Sequence, residues 1–141
     1  MTAREQFSWA WLIILAATYV PYFAAVVWLR QGAAEPSYPT QIWLFGVTAV
    51  AQVVLIAIAS AVIALRTGDP NVLDERDRSI AHRAAATAYS VLIAGIITVG
   101  CLMPFNRSGW DIFHAAVFAI ALAEGVRLVM VVHAYRRGLH A

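Results

Sequence analysis

Glu124 and Arg127 are the residues best placed to do chemistry in this sequence, because each carries a charge inside a long apolar run. Their spacing of three puts both side chains on neighbouring parts of one helix surface, where they can pair. A charge inside a bilayer is costly, so it marks either a structural ion pair or a site of binding or proton transfer. Gln52 adds an amide to a second apolar run, and we expect it to hydrogen-bond another helix.

Histidines near the ends of the apolar runs offer a second kind of chemistry. His82 and His133 would approach each other if their helices were antiparallel neighbours, and two imidazoles can ligate haem iron. No third ligand stands at a spacing diagnostic of a metal site, so we predict no metal centre and keep haem as an alternative. Asp111 is expected to be an N-cap, which places His114 in the first helical turn with a structural role. Cys101 is a single cysteine and excludes an intramolecular disulfide.

Composition indicates what must position these residues. The 141-residue chain is 62% hydrophobic and has a mean hydropathy of +0.72, whereas about half the residues of a soluble domain are apolar. A soluble domain of this size has no room to bury so much apolar surface, so the bilayer must be its solvent. All ten basic residues are arginines, and a formal charge of +2 with scattered arginines does not indicate a nucleic-acid binder.

Four apolar runs are long enough to cross a bilayer as helices, whose backbone hydrogen bonds all close internally. They cover approximately residues 7–29, 41–65, 84–103 and 112–135. The segments between them carry proline and glycine, which are typical of connecting loops. We therefore predict an all-α fold, an integral membrane four-helix bundle that forms a single transmembrane domain over residues 1–141.

Arginine bias predicts the orientation of the helices. Seven arginines lie in the N-terminal tail, the second loop and the C-terminal tail, whereas the first and third loops hold only Arg30 and Arg107. Because cytoplasmic segments of membrane proteins are enriched in arginine and lysine, both termini are predicted to lie in the cytoplasm. Trp28, Trp43 and Trp110 then fall near the outer interface, where tryptophan is common.

The densest charge cluster, "LDERDRSIAHR" at residues 73–83, directly precedes the third apolar run. Asp74 suits an N-cap, with Asp77 three residues later, so one helix is predicted to begin in the cytoplasm at about residue 74 and to continue into the membrane. Four arginines and four acids cancel over residues 66–83, which gives little attraction to anionic lipid and favours docking of a protein partner. The predicted docking side chains are Asp74, Glu75, Arg76, Asp77, Arg78 and Arg83.

This cluster also carries a resemblance to known proteins. "DERDRSIAHRA" is similar to the D-E-R-D-x-x-I-x-x-[RK]-A pattern of small bacterial four-helix membrane proteins of uncharacterised function, the DUF2178-like group. The matching residues are Asp74, Glu75, Arg76, Asp77, Ile80, Arg83, Ala84 and, further on, Tyr89. The resemblance implies a protein of the bacterial inner membrane with an accessory or regulatory role, and it brings no catalytic residues.

Three functions follow as hypotheses. The first is a non-enzymatic accessory or regulatory subunit that binds another membrane or cytoplasmic protein, or further copies of itself, since the sequence shows no nucleophile–base pair. The second is a small oligomeric transporter or channel subunit that uses Glu124, Arg127 and Gln52. The third is a haem-binding or metal-binding membrane protein, or a small membrane enzyme, that uses His82 and His133.

Overall fold

Four long α-helices dominate the computed structural model, which describes residues 3–32, 36–67, 75–105 and 107–137. They are α1 (Ala3–Arg30), α2 (Tyr38–Thr67), α3 (Glu75–Ile97) and α4 (Gly109–Arg137). Each helix, with the turns that extend α3, is long and apolar enough to cross a membrane. The predicted all-α architecture with four potential membrane spans is therefore confirmed.

The helices extend beyond the apolar runs because polar residues cap their ends. At the start of α2, the Thr40 N–H donates to the Ser37 carbonyl at 3.1 Å, and the two hydroxyl oxygens lie 2.8 Å apart. Gln41 Nε2 donates to the Pro36 carbonyl at 2.8 Å, so the buried amide is satisfied by the chain that enters the helix. These local bonds let α2 begin three residues before the predicted run.

The start of α4 corrects one prediction. The Asp111 N–H donates to Ser108 Oγ at 3.3 Å, and the Ser108 N–H donates to Asp111 Oδ2 at 3.4 Å. This reciprocal pair is a capping box in which Ser108 is the N-cap and Asp111 is the third helical residue. The prediction that Asp111 is the N-cap is wrong, because Ser108 lies one turn earlier and also has a capping side chain. His114 consequently lies in the second turn.

The chain divides into two compact units, Met1–Pro70 and Asn71–Ala141. In the first unit α1 packs against α2, and aromatic rings fill the contact. Tyr22 is only 2% exposed, and its ring centroid lies 5.0 Å from that of Phe23 and 6.3 Å from that of Phe45 on α2. Edge-on and stacked aromatic contacts at these distances stabilise a helix pair beyond simple burial.

In the second unit α3 and α4 pack closely through small residues. Ala84, Ala88 and Gly95 follow one another at spacings of four and seven, which places them on one face of α3. A Cβ atom built on Gly95 would lie 2.7 Å from the Cβ of Ala119 on α4. Small residues allow this close backbone approach, as is common between membrane helices. The contact fixes the spacing of α3 and α4.

The third membrane span ends in irregular helical turns. The α-helix ends at Ile97 and continues as a π-helical turn over Thr98–Leu102, in which the Met103 N–H donates to the Thr98 carbonyl. A 3₁₀ turn over Met103–Phe105 follows. Pro104 has no N–H to donate and its ring obstructs the preceding turn, so the span reaches Phe105 through these irregular turns and not as a regular α-helix.

Gly95→Ala is expected to destabilise the protein relative to Gly46→Ala, the matched change on α2, where an added Cβ meets nothing within 4 Å. Both changes gain roughly 0.5–1 kcal/mol of helix propensity. Only Gly95→Ala forces the Ala119 methyl and its backbone to move, at a cost of about 1–3 kcal/mol. Denaturant unfolding of the purified protein in mixed micelles, followed by helical circular dichroism, measures the difference. Equal stability of the two variants would contradict the close α3–α4 contact.

Candidate functional site

One end of the α3–α4 pair gathers charged side chains from both helices. We call it the charged end and define it as residues 75–83 of α3 and residues 133–137 of α4. Tyr135 donates its hydroxyl proton to Asp77 Oδ1 at 2.6 Å, across 58 residues of sequence. Both residues are half-buried, and a short hydrogen bond to a carboxylate is stronger than one between neutral groups. This bond fastens the start of α3 to the end of α4.

The predicted docking residues do not all lie in the same surroundings. Glu75, Arg78 and Arg83 are exposed on α3, whereas Asp77 is held in the bond to α4. Asp74 and the side chain of Arg76 lie outside the described residues. In the described part of the predicted surface, the carboxylate of Asp77 therefore links α3 to α4, and the other charged side chains are exposed.

The end of α4 changes the charge balance of this surface. Arg136 and Arg137 are exposed in the last turn of α4. Residues 75–83 carry three arginines and two acids, so Arg136 and Arg137 raise the formal charge of the charged end to +3. The neutral total over residues 66–83 does not include the arginines at the end of α4, which are distant in the sequence. The folded charged end is basic.

Glu124 and Arg127 form a bidentate ion pair near the middle of α4. Arg127 Nε donates to Glu124 Oε2 at 3.0 Å, and Arg127 Nη2 donates to Glu124 Oε1. Such fork-like pairing engages both carboxylate oxygens and holds the two side chains in one geometry. The pair is not fully covered, since 27% of the Glu124 side chain and 36% of the Arg127 side chain are exposed.

Gln52 belongs to α2 in the first unit, and Glu124 and Arg127 belong to the second unit. Gln52 is half-buried, and Thr48 one turn earlier donates its hydroxyl to the Leu44 carbonyl at 2.9 Å. The hydrogen bond of the Thr48 hydroxyl is thus made within its own helix. The interhelical role of Gln52 stays a prediction.

His114 is buried among aromatic rings. Its ring stacks on Trp110 with centroids 6.1 Å apart and meets Phe113 edge-on at 5.5 Å. These contacts, all made within two turns of α4, fit the structural role predicted for this histidine. Trp110 lies within the capping box and Phe113 follows it, so these rings pack together at the start of α4.

His82 and His133 are both exposed at the charged end. His82 lies two residues before Ala84, or roughly 200° around the helix, and Ala84 shares the face of α3 that contacts α4. The packing of α3 on α4 therefore turns His82 away from α4. Within the described ranges, no three or more His, Cys, Asp or Glu side chains form a group able to hold a metal ion. Haem binding stays a prediction.

The sequence does not predict two features of this unit. The Asp77–Tyr135 bond joins residues far apart in the chain, and no local pattern announces it. The sequence indicates the Gly95–Ala119 contact only weakly, through the helical spacing of the small residues Ala84, Ala88 and Gly95. Small residues favour close contacts between membrane helices.

No family model, curated protein or solved structure matches this chain. The resemblance of the charge cluster to the DUF2178-like group therefore stays a prediction. The charged end and the Glu124–Arg127 pair are the two features of the chain that bear on its function.

Tyr135→Phe is expected to loosen the charged end, because it removes the hydroxyl that bonds Asp77 and leaves the ring in place. A hydrogen bond to a charged group contributes roughly 1.5–3 kcal/mol, so local opening should increase about tenfold or more. Hydrogen exchange of the amides in residues 75–83 and 130–137, followed by mass spectrometry, measures this opening. The control is Tyr89→Phe, which alters a tyrosine that is 65% exposed on α3. Equal rates of amide exchange in the two variants would show that the Asp77–Tyr135 bond does not stabilise the charged end.

Proposed function

We propose that this chain is a non-enzymatic accessory or regulatory subunit of the bacterial inner membrane that binds an acidic segment of another protein. In this proposal both termini lie in the cytoplasm, and the charged end is the docking surface. The Asp77–Tyr135 bond is the observation that carries the proposal. It links the start of α3 to the end of α4, and so it fixes the exposed arginines of the two helices relative to one another.

Arginine is well suited to this task. Its planar guanidinium can donate two parallel hydrogen bonds to one carboxylate. Arginines on two helices that are linked to each other lose less conformational entropy on binding than arginines on a flexible tail. Arg78, Arg83, Arg136 and Arg137 are exposed at the charged end. A partner that presents several carboxylates would complement this surface.

The acids at the same end bear on the choice of partner. Glu75 is exposed at the start of α3, and Asp77 lies two residues further along the same helix. A uniformly anionic surface such as a lipid leaflet meets both attraction and repulsion there, whereas a folded partner can place its own charges to match. The mixed pattern therefore favours a protein over lipid headgroups.

The geometry gives less support to transport by Glu124, because Arg127 engages both oxygens of its carboxylate. A carboxylate that carries a proton or an ion through a membrane must change partners during the cycle. A closed pair within one helix fits a structural role better. The proposal accordingly places the function at the charged end.

Replacing Arg78 and Arg83 together by glutamine is expected to weaken partner capture by about tenfold or more. Photo-crosslinking in native membranes, with a benzophenone amino acid at the exposed position His82, reports the partner as a band of defined mass. Capture should also weaken at raised ionic strength, because exposed charges are screened by salt.

The matched control replaces two other exposed arginines by glutamine, Arg30 of the first unit and Arg107, which precedes α4. This control should capture the partner as the unaltered chain does, at the same membrane yield. Undiminished capture by the Arg78 and Arg83 variant would refute docking at the charged end. Capture of a partner that lacks an acidic segment would refute the proposed chemistry.

A further inference from the structure

The exposed arginines of α3 lie at the height of the lipid headgroups when α3 spans a bilayer. Apolar residues predominate on α3 from Ala84 onwards, and Arg83 and Arg78 precede Ala84 by one and six positions. At 1.5 Å per residue, the two arginines lie about 2 Å and 9 Å from the apolar length of the helix. The headgroup layer on each face of a bilayer is about 5–7 Å thick, because the hydrocarbon core takes about 30 Å of a total of about 40–45 Å. A tilt of the helix only lowers these heights.

The exposed arginines of α4 lie at a similar height. Val132 is the last large aliphatic residue of α4, and Arg136 and Arg137 follow it by four and five positions, or about 6–8 Å. The hydrogen bond from Tyr135 to Asp77 holds the two helix ends side by side. The charged end, as its described residues define it, therefore lies within or just above the headgroup layer.

The order of charges along α3 favours a carboxylate that comes close to the bilayer. Glu75 and Asp77 precede Ala84 by nine and seven positions, so they lie about 10–14 Å from the apolar length of the helix. The acids of the charged end are thus farther from the bilayer than its exposed arginines on α3. A carboxylate that stays at the height of Glu75 meets a like charge, whereas one that comes closer to the bilayer meets Arg78 and Arg83.

This height also determines which acidic segments can reach the arginines. A soluble protein has to bring its carboxylates down to a layer of lipid phosphates, whose negative potential repels them. A segment that directly follows a membrane-spanning helix is already held at this height, so it loses less translational and rotational freedom on binding. Confinement to the same bilayer also raises its effective concentration.

We propose that the charged end binds the acidic segment of another membrane-spanning protein, and that this segment lies within about two helical turns of the end of the partner's span. The inference rests on the proposed function, because it takes the charged end as a docking surface for carboxylates, and it specifies the class of partner. The carboxylates replace lipid phosphates on the exposed arginines, with which they form bidentate hydrogen bonds.

Three synthetic probes test this proposal in vesicles of equal parts phosphatidylcholine and phosphatidylglycerol. The vesicles contain the full chain with a benzophenone amino acid at the exposed position His82. The first probe is an alternating leucine–alanine membrane helix that ends in four aspartates. The second has an alanine-rich helical extension of about twelve residues before the same aspartates, which raises them by about 18 Å. The third ends in four asparagines in place of the aspartates.

Photo-crosslinking over a series of probe-to-lipid ratios gives the ratio at which each probe half-saturates the chain. The first probe is expected to half-saturate it at a ratio about tenfold or more below that of the other two. Arg78→Gln with Arg83→Gln should remove this advantage, because it takes away the arginines of α3 that the aspartates reach. Arg30→Gln with Arg107→Gln, the matched control, should keep it.

The outcomes separate this inference from the proposed function. If the raised aspartates bind as tightly as the juxtamembrane ones, and both bind more tightly than the asparagines, the inference is overturned and docking of acidic segments stands. Equal half-saturation by all three probes would mean that lipid phosphates hold the arginines, and would overturn the proposed function as well. An advantage of the first probe that survives Arg78→Gln with Arg83→Gln would place the contact elsewhere and overturn the inference.

Discussion

A polar group that enters hydrocarbon must find its partner inside the protein, and the rest of this structure depends on that constraint. The hydroxyl groups within the apolar helices donate back to the carbonyl one turn earlier in the same helix, at 2.7–3.2 Å. The residues that do so are Thr18, Thr48, Ser60, Thr87, Ser90 and Thr98. Satisfied in this way, each helix can present an almost wholly apolar surface to lipid.

Charges obey the same constraint at greater cost, and they are few enough to follow one by one. Glu124 and Arg127 neutralise each other within a single turn of α4. Asp77 is fastened to Tyr135 at the end where α3 begins and α4 ends. Arg78, Arg83, Arg136 and Arg137 are exposed at this charged end, beyond the apolar lengths of α3 and α4. The charged end is therefore the part of the second unit where exposed charge is densest.

The sequence predicts the helices of this protein well and their contacts poorly. Long apolar runs announce membrane helices by length and composition alone, and the acidic start of α3 correctly indicates a helix that extends before the apolar run. Apolar residues that surround a helix on every side carry no periodicity, however, so the face of α3 that meets Ala119 is not marked by hydropathy. It is marked only by the small size of Ala84, Ala88 and Gly95.

The candidate site shows the same division. The arginine-rich cluster is visible as a run of letters, but its net charge in the fold depends on Arg136 and Arg137, which arrive from the far end of the chain. The hydrogen bond from Tyr135 belongs to the tertiary structure, and so no local rule predicts it. Competing caps explain the smaller error at α4, where both Ser108 and Asp111 have side chains suited to a helix start.

The proposed orientation underlies the docking function, and thiol labelling in intact cells tests it most directly. Single cysteines are introduced at exposed positions, Ser79→Cys at the charged end and Arg107→Cys before α4, each in a Cys101→Ser background. With a membrane-impermeant reagent, Arg107→Cys should be labelled in intact cells, and Ser79→Cys only after the inner membrane is permeabilised. Labelling of Ser79→Cys in intact cells, with protection of Arg107→Cys, would place the charged end outside the cytoplasm and contradict the account.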